Sequence, residues 1–243
     1  MYKRQLTNYV EEHGCDIGIA TDGDADRLGV IDDKAEFLHP NKILVLLYYY
    51  LMRYRGWRGA AVRNLATTHL LDRIAEDFGE TCYEVPVGFK YVSAKMVETG
   101  AIIGGESSGG LTVRGHIQGK DGIYAAALLV EAIAKTGRRL SALWDEITQK
   151  YGAAEMAEHD FHFSSAERTR IFKLLMEDKQ LPEFPCEIAK VSYMDGCKVY
   201  FKNGGWVIAR FSGTEPLLRV FCEMDTMENA EKIAKILTEF LSL

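Results

Sequence analysis

Apolar and polar positions alternate along this chain in two periods, one near 3.6 and one of 2, and their order predicts the elements. Residues 6–13 read as a helix end closing at Gly14, and the short branched apolar runs at 17–20 and 28–31 read as buried strands. Pro40 then opens an apolar helix over 41–54, where proline suits the first turn. After Gly59 the pattern predicts strand 60–65, helix 69–78, strand 81–85, helix 89–98 and strand 101–104. A long glycine-rich loop over 104–122 leads to helix 123–135 and a further helix over 141–151. Such alternation of strand and helix predicts an α/β sandwich on a largely parallel sheet.

The pattern changes near Gly152. Residues 156–163 alternate as a strand, Ser164 and Ser165 cap a helix reaching about residue 178, and LPEFP breaks it. Strands over 187–193, 197–202 and 205–211 follow, joined by Asp-Gly and Asn-Gly-Gly turns, then strand 217–223 and a last helix over 226–242. Antiparallel strands with two helices on one face predict a separate α+β domain. The chain shows no internal repeat and no low-complexity segment.

Composition narrows the function classes. With 243 residues, 47% hydrophobic and 26% charged, the chain can hold one large or two ordinary globular domains. Its formal charge of −6 argues against nucleic acid as a partner. The start lacks the apolar core of a signal peptide, and the longest apolar run, ILVLLYYYLM at 43–52, is too short to span a bilayer, so no membrane partner is expected. Five scattered cysteines without a Cys-x-x-Cys pair suggest reduced thiols and a cytoplasmic location.

Chemistry concentrates in loops that follow strands. In IGIATDGDADRLGVID, Asp22, Asp24 and Asp26 stand at every second position. Carboxylates this close repel unless a cation sits among them, and a hard divalent ion with oxygen ligands would fill that role; a solvated acidic turn is the alternative. A calcium EF-hand is excluded because its sixth position needs glycine where this chain has Arg27, and the flanks read as strands. A phosphatase of the haloacid dehalogenase type, with one aspartate as nucleophile, fits this loop alone. GGESSGGL at 104–111 sets Glu106 and Ser108 among four glycines, suited to sugar hydroxyls. RFSGTEPLLR at 210–219 offers an anion nest between Arg210 and Arg219.

Taken in order, TDGDADR, VGFKYV, GESSGG with HIQGKDGIYAA, and RFSGTEP resemble the α-D-phosphohexomutases, the phosphoglucomutase/phosphomannomutase family. The resemblance implies that Asp22, Asp24 and Asp26 hold Mg²⁺ with Arg27 beside them, that Glu106 and Ser108 grip sugar hydroxyls, and that Lys90, His116 and Lys120 lie near the sugar, Lys90 and His116 as candidates for proton transfer. Arg210, Ser212, Gly213, Thr214 and Arg219 match the loop that holds the phosphate not being transferred. The implied partners are a hexose phosphate and its bisphosphate, passed through a phosphoserine intermediate. The family's first domain carries that serine in a Ser-His-(Asn/Asp)-Pro setting, and none of this chain's nine serines stands in one.

The expected fold class is therefore α/β. Residues 1–39 would end the family's second domain with the metal loop. Residues 40–152 would form the third, sugar-binding three-layer α/β/α sandwich. Residues 153–243 would form a smaller phosphate-binding α+β domain, TATA-box-binding-protein-like. A start on the last turns of a helix reads as truncation, which would make the missing N-terminal domains of the same enzyme a partner and leave the chain inactive alone. A non-catalytic module that binds phosphosugars is the alternative of a different class.

Overall fold

The computed structural model describes residues 2–213 and 215–243. The chain divides between Gly152 and Ala153 into two units. In the first, helix α1 (Tyr2–His13) ends at Gly14, whose φ of 60° is the left-handed turn glycine tolerates. Strands β1 (Gly18–Thr21) and β2 (Leu28–Ile31) pair antiparallel with Thr21 opposite Leu28, so the aspartate loop is the turn of a hairpin. A two-residue strand, β3 (Phe37–Leu38), adds to β2 and was not predicted, because two residues are too few to display a period.

Helix α2 (Pro40–Arg53) buries eleven of its fourteen residues, as an all-round apolar helix must. Its three consecutive tyrosines each find an acceptor: Tyr48 donates to the Gly59 carbonyl at 3.2 Å, Tyr49 to Glu146 at 2.6 Å and Tyr50 to Glu131 at 2.5 Å. Burial is tolerable because every hydroxyl is satisfied. Glu131 and Glu146 belong to helices α5 (Gly122–Thr136) and α6 (Leu140–Tyr151).

Strands β4 (Ala61–Asn64), β5 (Cys82–Val85), β6 (Ile103–Gly105) and β7 (Leu111–Val113) form a sheet in the order β5-β4-β6-β7. The first three are parallel, with helices α3 (Leu70–Asp77) and α4 (Phe89–Thr99) in the crossovers; β7 runs antiparallel to β6. Adjacent glycines report the layers. A Cβ on Gly104 would sit 2.4 Å from Met96 of α4, and one on Gly105 would sit 2.8 Å from Leu44 of α2. Successive strand residues face opposite sides, so helices cover both faces of this sheet, a three-layer α/β/α arrangement of the class expected.

The expected loop over 104–122 contains β7. Glu106 N–H bonds to the Gly110 carbonyl at 3.0 Å, and Gly109, at φ 101°, turns the chain back. Four glycines hide a hairpin whose register comes from the neighbouring strand.

The second unit is a five-stranded antiparallel sheet in the order β8-β12-β11-β10-β9: β8 (Glu155–His162), β9 (Ile188–Ser192), β10 (Cys197–Phe201), β11 (Trp206–Phe211) and β12 (Leu217–Met224). Alternate residues such as Val199, Val207, Val220 and Cys222 form one cluster with Ile171 and Leu175 from the helical stretch and with Ile233 and Leu237 of helix α8 (Met227–Phe240). Both helical stretches thus lie on one face. The helix expected from Ser165 to about residue 178 is α-helical only over α7 (Ser165–Phe172) and continues as a π turn over Lys173–Glu177. Ser164 and Glu167 close its start as a reciprocal capping box.

Candidate functional site

The loop between β1 and β2 is shaped by its own backbone. Ala25 N–H reaches the Asp22 carbonyl at 3.1 Å, Arg27 N–H reaches Asp22 Oδ1 at 3.2 Å, and Ala25 takes a φ of 59°. Asp22, Asp24 and Asp26 thereby bring one carboxylate oxygen each within 4.8 Å of the others. Asp26 Oδ1 is buried and accepts no hydrogen bond. Two side-chain cations lie against the cluster. Arg27 Nε is 3.4 Å from Asp26 Oδ1 and 3.7 Å from Asp22 Oδ2, and the Lys120 ammonium is paired with Asp26 Oδ2. The Lys120 contact is the main reason the Asp26 carboxyl is held below the usual range, against the opposing effect of burial. An acceptor-only donor set with an unused buried oxygen fits a hard divalent ion.

Lys120 reaches Asp26 past two closely approached glycines. A Cβ on Gly110 would lie 2.2 Å from Lys120 Cδ, and one on Gly122 would lie 2.7 Å from the Arg27 carbonyl. Gly122 N–H also donates to the Ala25 carbonyl at 2.9 Å, and Arg27 forms a bridge with Gly110. The fold therefore brings the aspartates, Arg27, Lys120 and the 106–110 turn together.

In that turn Glu106 is only 8% exposed. Its Oε1 accepts from Asn64 Nδ2 at 3.0 Å and from Gly88 N–H at 2.9 Å. Ser107 N–H donates to Thr67 Oγ1 at 3.0 Å, while Ser108 is exposed. His116 and Lys90 have other engagements. His116 Nε2 lies 2.7 Å from Asp121 Oδ2, and its ring stacks on Tyr124 with centroids 4.0 Å apart. Asp121 also N-caps α5 through Tyr124 N–H at 2.8 Å; that bond, then His116, holds its carboxyl below the usual range. Lys90 is exposed in the first turn of α4, its ammonium 4.8 Å from the Tyr91 ring centre. Sequence reasoning did not single out Asn64, Thr67 or Asp121, whose roles depend on partners distant in the chain or on cap geometry.

In the second unit Arg210 and Arg219 are cross-strand partners on β11 and β12. Like charges in that position repel, and carboxylates offset them: Arg210 bonds Asp195 at 2.9 Å, and Arg219 bonds Glu215 at 3.1 Å with Asp160 at 3.6 Å. Ser212 N–H closes the connecting turn on the Leu217 carbonyl at 2.8 Å, and Ser212 Oγ accepts from Glu215 N–H at 3.3 Å. Gly213 is exposed in this turn, and Thr214 lies outside the described residues.

Comparison with known proteins agrees with this architecture. Sequence models of individual phosphoglucomutase/phosphomannomutase domains match in order: alpha/beta/alpha domain II over residues 2–35, alpha/beta/alpha domain III over 39–151 and the C-terminal domain over 172–240. The phosphoglucomutase/phosphomannomutase of Thermococcus kodakarensis is 34% identical over 93% of this chain and 47% of its own length. A family protein of known structure from Burkholderia thailandensis is 24% identical, with a TM-score of 0.78 over 99% of this chain and 50% of its own. The N-acetylphosphoglucosamine mutase of Aspergillus fumigatus, solved with GlcNAc-6P and magnesium, shares the fold at 17% identity and a TM-score of 0.59, over 96% of this chain and 55% of its own. The chain belongs to the phosphoglucomutase/phosphomannomutase family. It spans about half the length of the curated relatives it matches.

Proposed function

We propose that this chain supplies the metal-, sugar- and phosphate-binding parts of a cytoplasmic phosphohexomutase, which moves a phosphoryl group between the 1- and 6-positions of a hexose phosphate through a bisphosphorylated sugar. The observation that carries the reading is the convergence of the three aspartates, Arg27, Lys120 and the Glu106 turn in one unit. Asp22, Asp24 and Asp26 would hold Mg²⁺. When bound, the ion supplies charge stabilisation for the transferring phosphoryl group. Arg27 and Lys120 hold the carboxylates together and bring positive charge to the same place. Glu106 accepts hydrogen bonds from ring hydroxyls, with Ser108 beside it. Arg210, Ser212, Gly213, Thr214 and Arg219 hold the phosphate that is not reacting, through guanidinium forks and turn N–H groups. For proton transfer at the sugar oxygen the candidates are Lys90 and His116; Asp121 orients the His116 ring as a carboxylate orients a general base.

No serine of this chain stands in the family's phosphoserine setting. Turnover then depends on a donor serine from the family's first domain, and the 243-residue chain alone does not interconvert hexose 1- and 6-phosphates. The metal site is tested by paramagnetic Mn²⁺ titration. Weak, saturable binding is expected, lost in the double variant Asp24→Asn with Asp26→Asn. Undiminished binding in that variant overturns the reading.

A further inference from the structure

We infer that Asn64 is the positioning residue for Glu106, turning one carboxylate oxygen inward so that the other is left for a sugar hydroxyl; this rests on the sugar-binding reading of Glu106. Asn64 is the last residue of β4 and is 2% exposed. The bonds around it admit one orientation of its amide. Ala66 N–H can only donate and lies 2.9 Å from Oδ1, so that atom is the oxygen. Thr67 Oγ1 accepts from Ser107 N–H, so its own proton goes to Asn64 Oδ1 at 2.8 Å. The amide nitrogen must then face Glu106, 3.0 Å away.

One side chain thus ties down the two residues that open the sugar turn. Its nitrogen holds Glu106 directly, and its oxygen holds Thr67, which in turn holds Ser107. Gly88 N–H completes the grip on Oε1. Oε2 accepts no hydrogen bond among the described residues, although the residue is more than nine-tenths buried. A carboxylate fixed at one oxygen and unused at the other is an acceptor without a donor of its own. It therefore selects ligands that bring hydroxyl protons. The neighbouring Arg63 does not share the task. Its guanidinium bonds Asp72 and Glu84, and among the described residues no charged side chain is bonded to Glu106.

The substitution Asn64→Asp tests this because it keeps the shape and removes the donor. The carboxylate introduced at position 64 would face that of Glu106 at hydrogen-bond distance, and such a pair retains a proton that neither would hold alone. At low pH that proton restores the lost bond; as pH rises it leaves and the two groups repel. Binding of glucose 6-phosphate to the full 243-residue chain is measured by calorimetry between pH 5 and 8, as the ratio of variant to wild type so that ligand ionisation cancels. The ratio of dissociation constants is expected within about threefold near pH 5, rising to roughly tenfold or more by pH 8. A ratio that does not change with pH overturns the inference, whether the variant binds well or poorly.

Amide exchange at Gly88 and Ser107 in the unliganded chain gives a second readout. Protection at both is expected to fall in Asn64→Asp at pH 8 and to return near pH 5, with Thr67→Val losing it at Ser107 alone. If the wild-type chain binds no glucose 6-phosphate, the sugar-binding reading fails, and exchange decides on Asn64 alone: unchanged protection at both amides rejects the positioning role. If Asn64→Asp does not fold, Thr67→Val decides, and unchanged protection at Ser107 counts against the network.

Discussion

Asp121 joins two structures through one carboxylate. Oδ1 caps α5 through Tyr124 N–H, and Oδ2 bonds the His116 ring. Its carboxyl is held below the usual range in the folded chain, so folding favours the ionised form. The stabilisation is present above the unfolded value near about 4 and is lost as pH falls through the lower folded value. Asp121→Ala should therefore cost about 1–2 kcal/mol at pH 7, as expected for a lost cap, with the gap to wild type closing toward pH 2. Urea denaturation across that range checks it, and a gap unchanged at acid pH contradicts the assignment. At this scale the sequence singled out Asp22, Asp24, Asp26, Glu106 and the arginines as candidates, because charged residues in loops after a strand are conspicuous. Asn64 and Thr67 were invisible because an amide and a hydroxyl gain meaning only from donors and acceptors forty residues away.

Among the elements, α2 shows how a helix bearing three buried phenols remains stable. Glu146 receives Tyr49, Tyr54 at 2.9 Å and Arg138. Glu131 receives Tyr50, with Arg55 3.5 Å away. Tyr50→Phe should therefore cost more than Tyr49→Phe, about 1–2 against under about 1 kcal/mol, because Glu146 keeps two other partners. Thermal denaturation of the two variants decides; the reverse order counts against the partner argument. The helices were legible because each carries enough residues to display its period, and the parallel strands because each includes or adjoins apolar residues between two helical segments. Strands β3 and β7 were not. One has two residues, and the other has three and follows a glycine turn that reads as open loop.

For the molecule as a whole, the paired Arg210 and Arg219 form the centre of the second unit's candidate site. The two arginines stand opposite each other on neighbouring strands, and each is engaged by carboxylates, Arg210 by Asp195 and Arg219 by Glu215 and Asp160. Arg219→Ala should weaken hexose phosphate binding by about 1.5–3 kcal/mol, the range of a charge-assisted hydrogen bond. Chemical-shift mapping on the full chain checks this, and a bound phosphosugar mapped away from residues 210–219 contradicts it.

The sequence by itself determined the fold class, the order of the elements other than β3 and β7, and the family, because periodicity and short motifs are local and survive in one dimension. It also determined which side chains can bear charge. Only the tertiary structure decided that Lys120 pairs with Asp26 past two glycines, that Arg210 stands opposite Arg219, and that Asn64 donates to Glu106. Each of those depends on strand register or a crossover, and a hydrogen bond between residues far apart in the chain exists only once packing has set the distance between them.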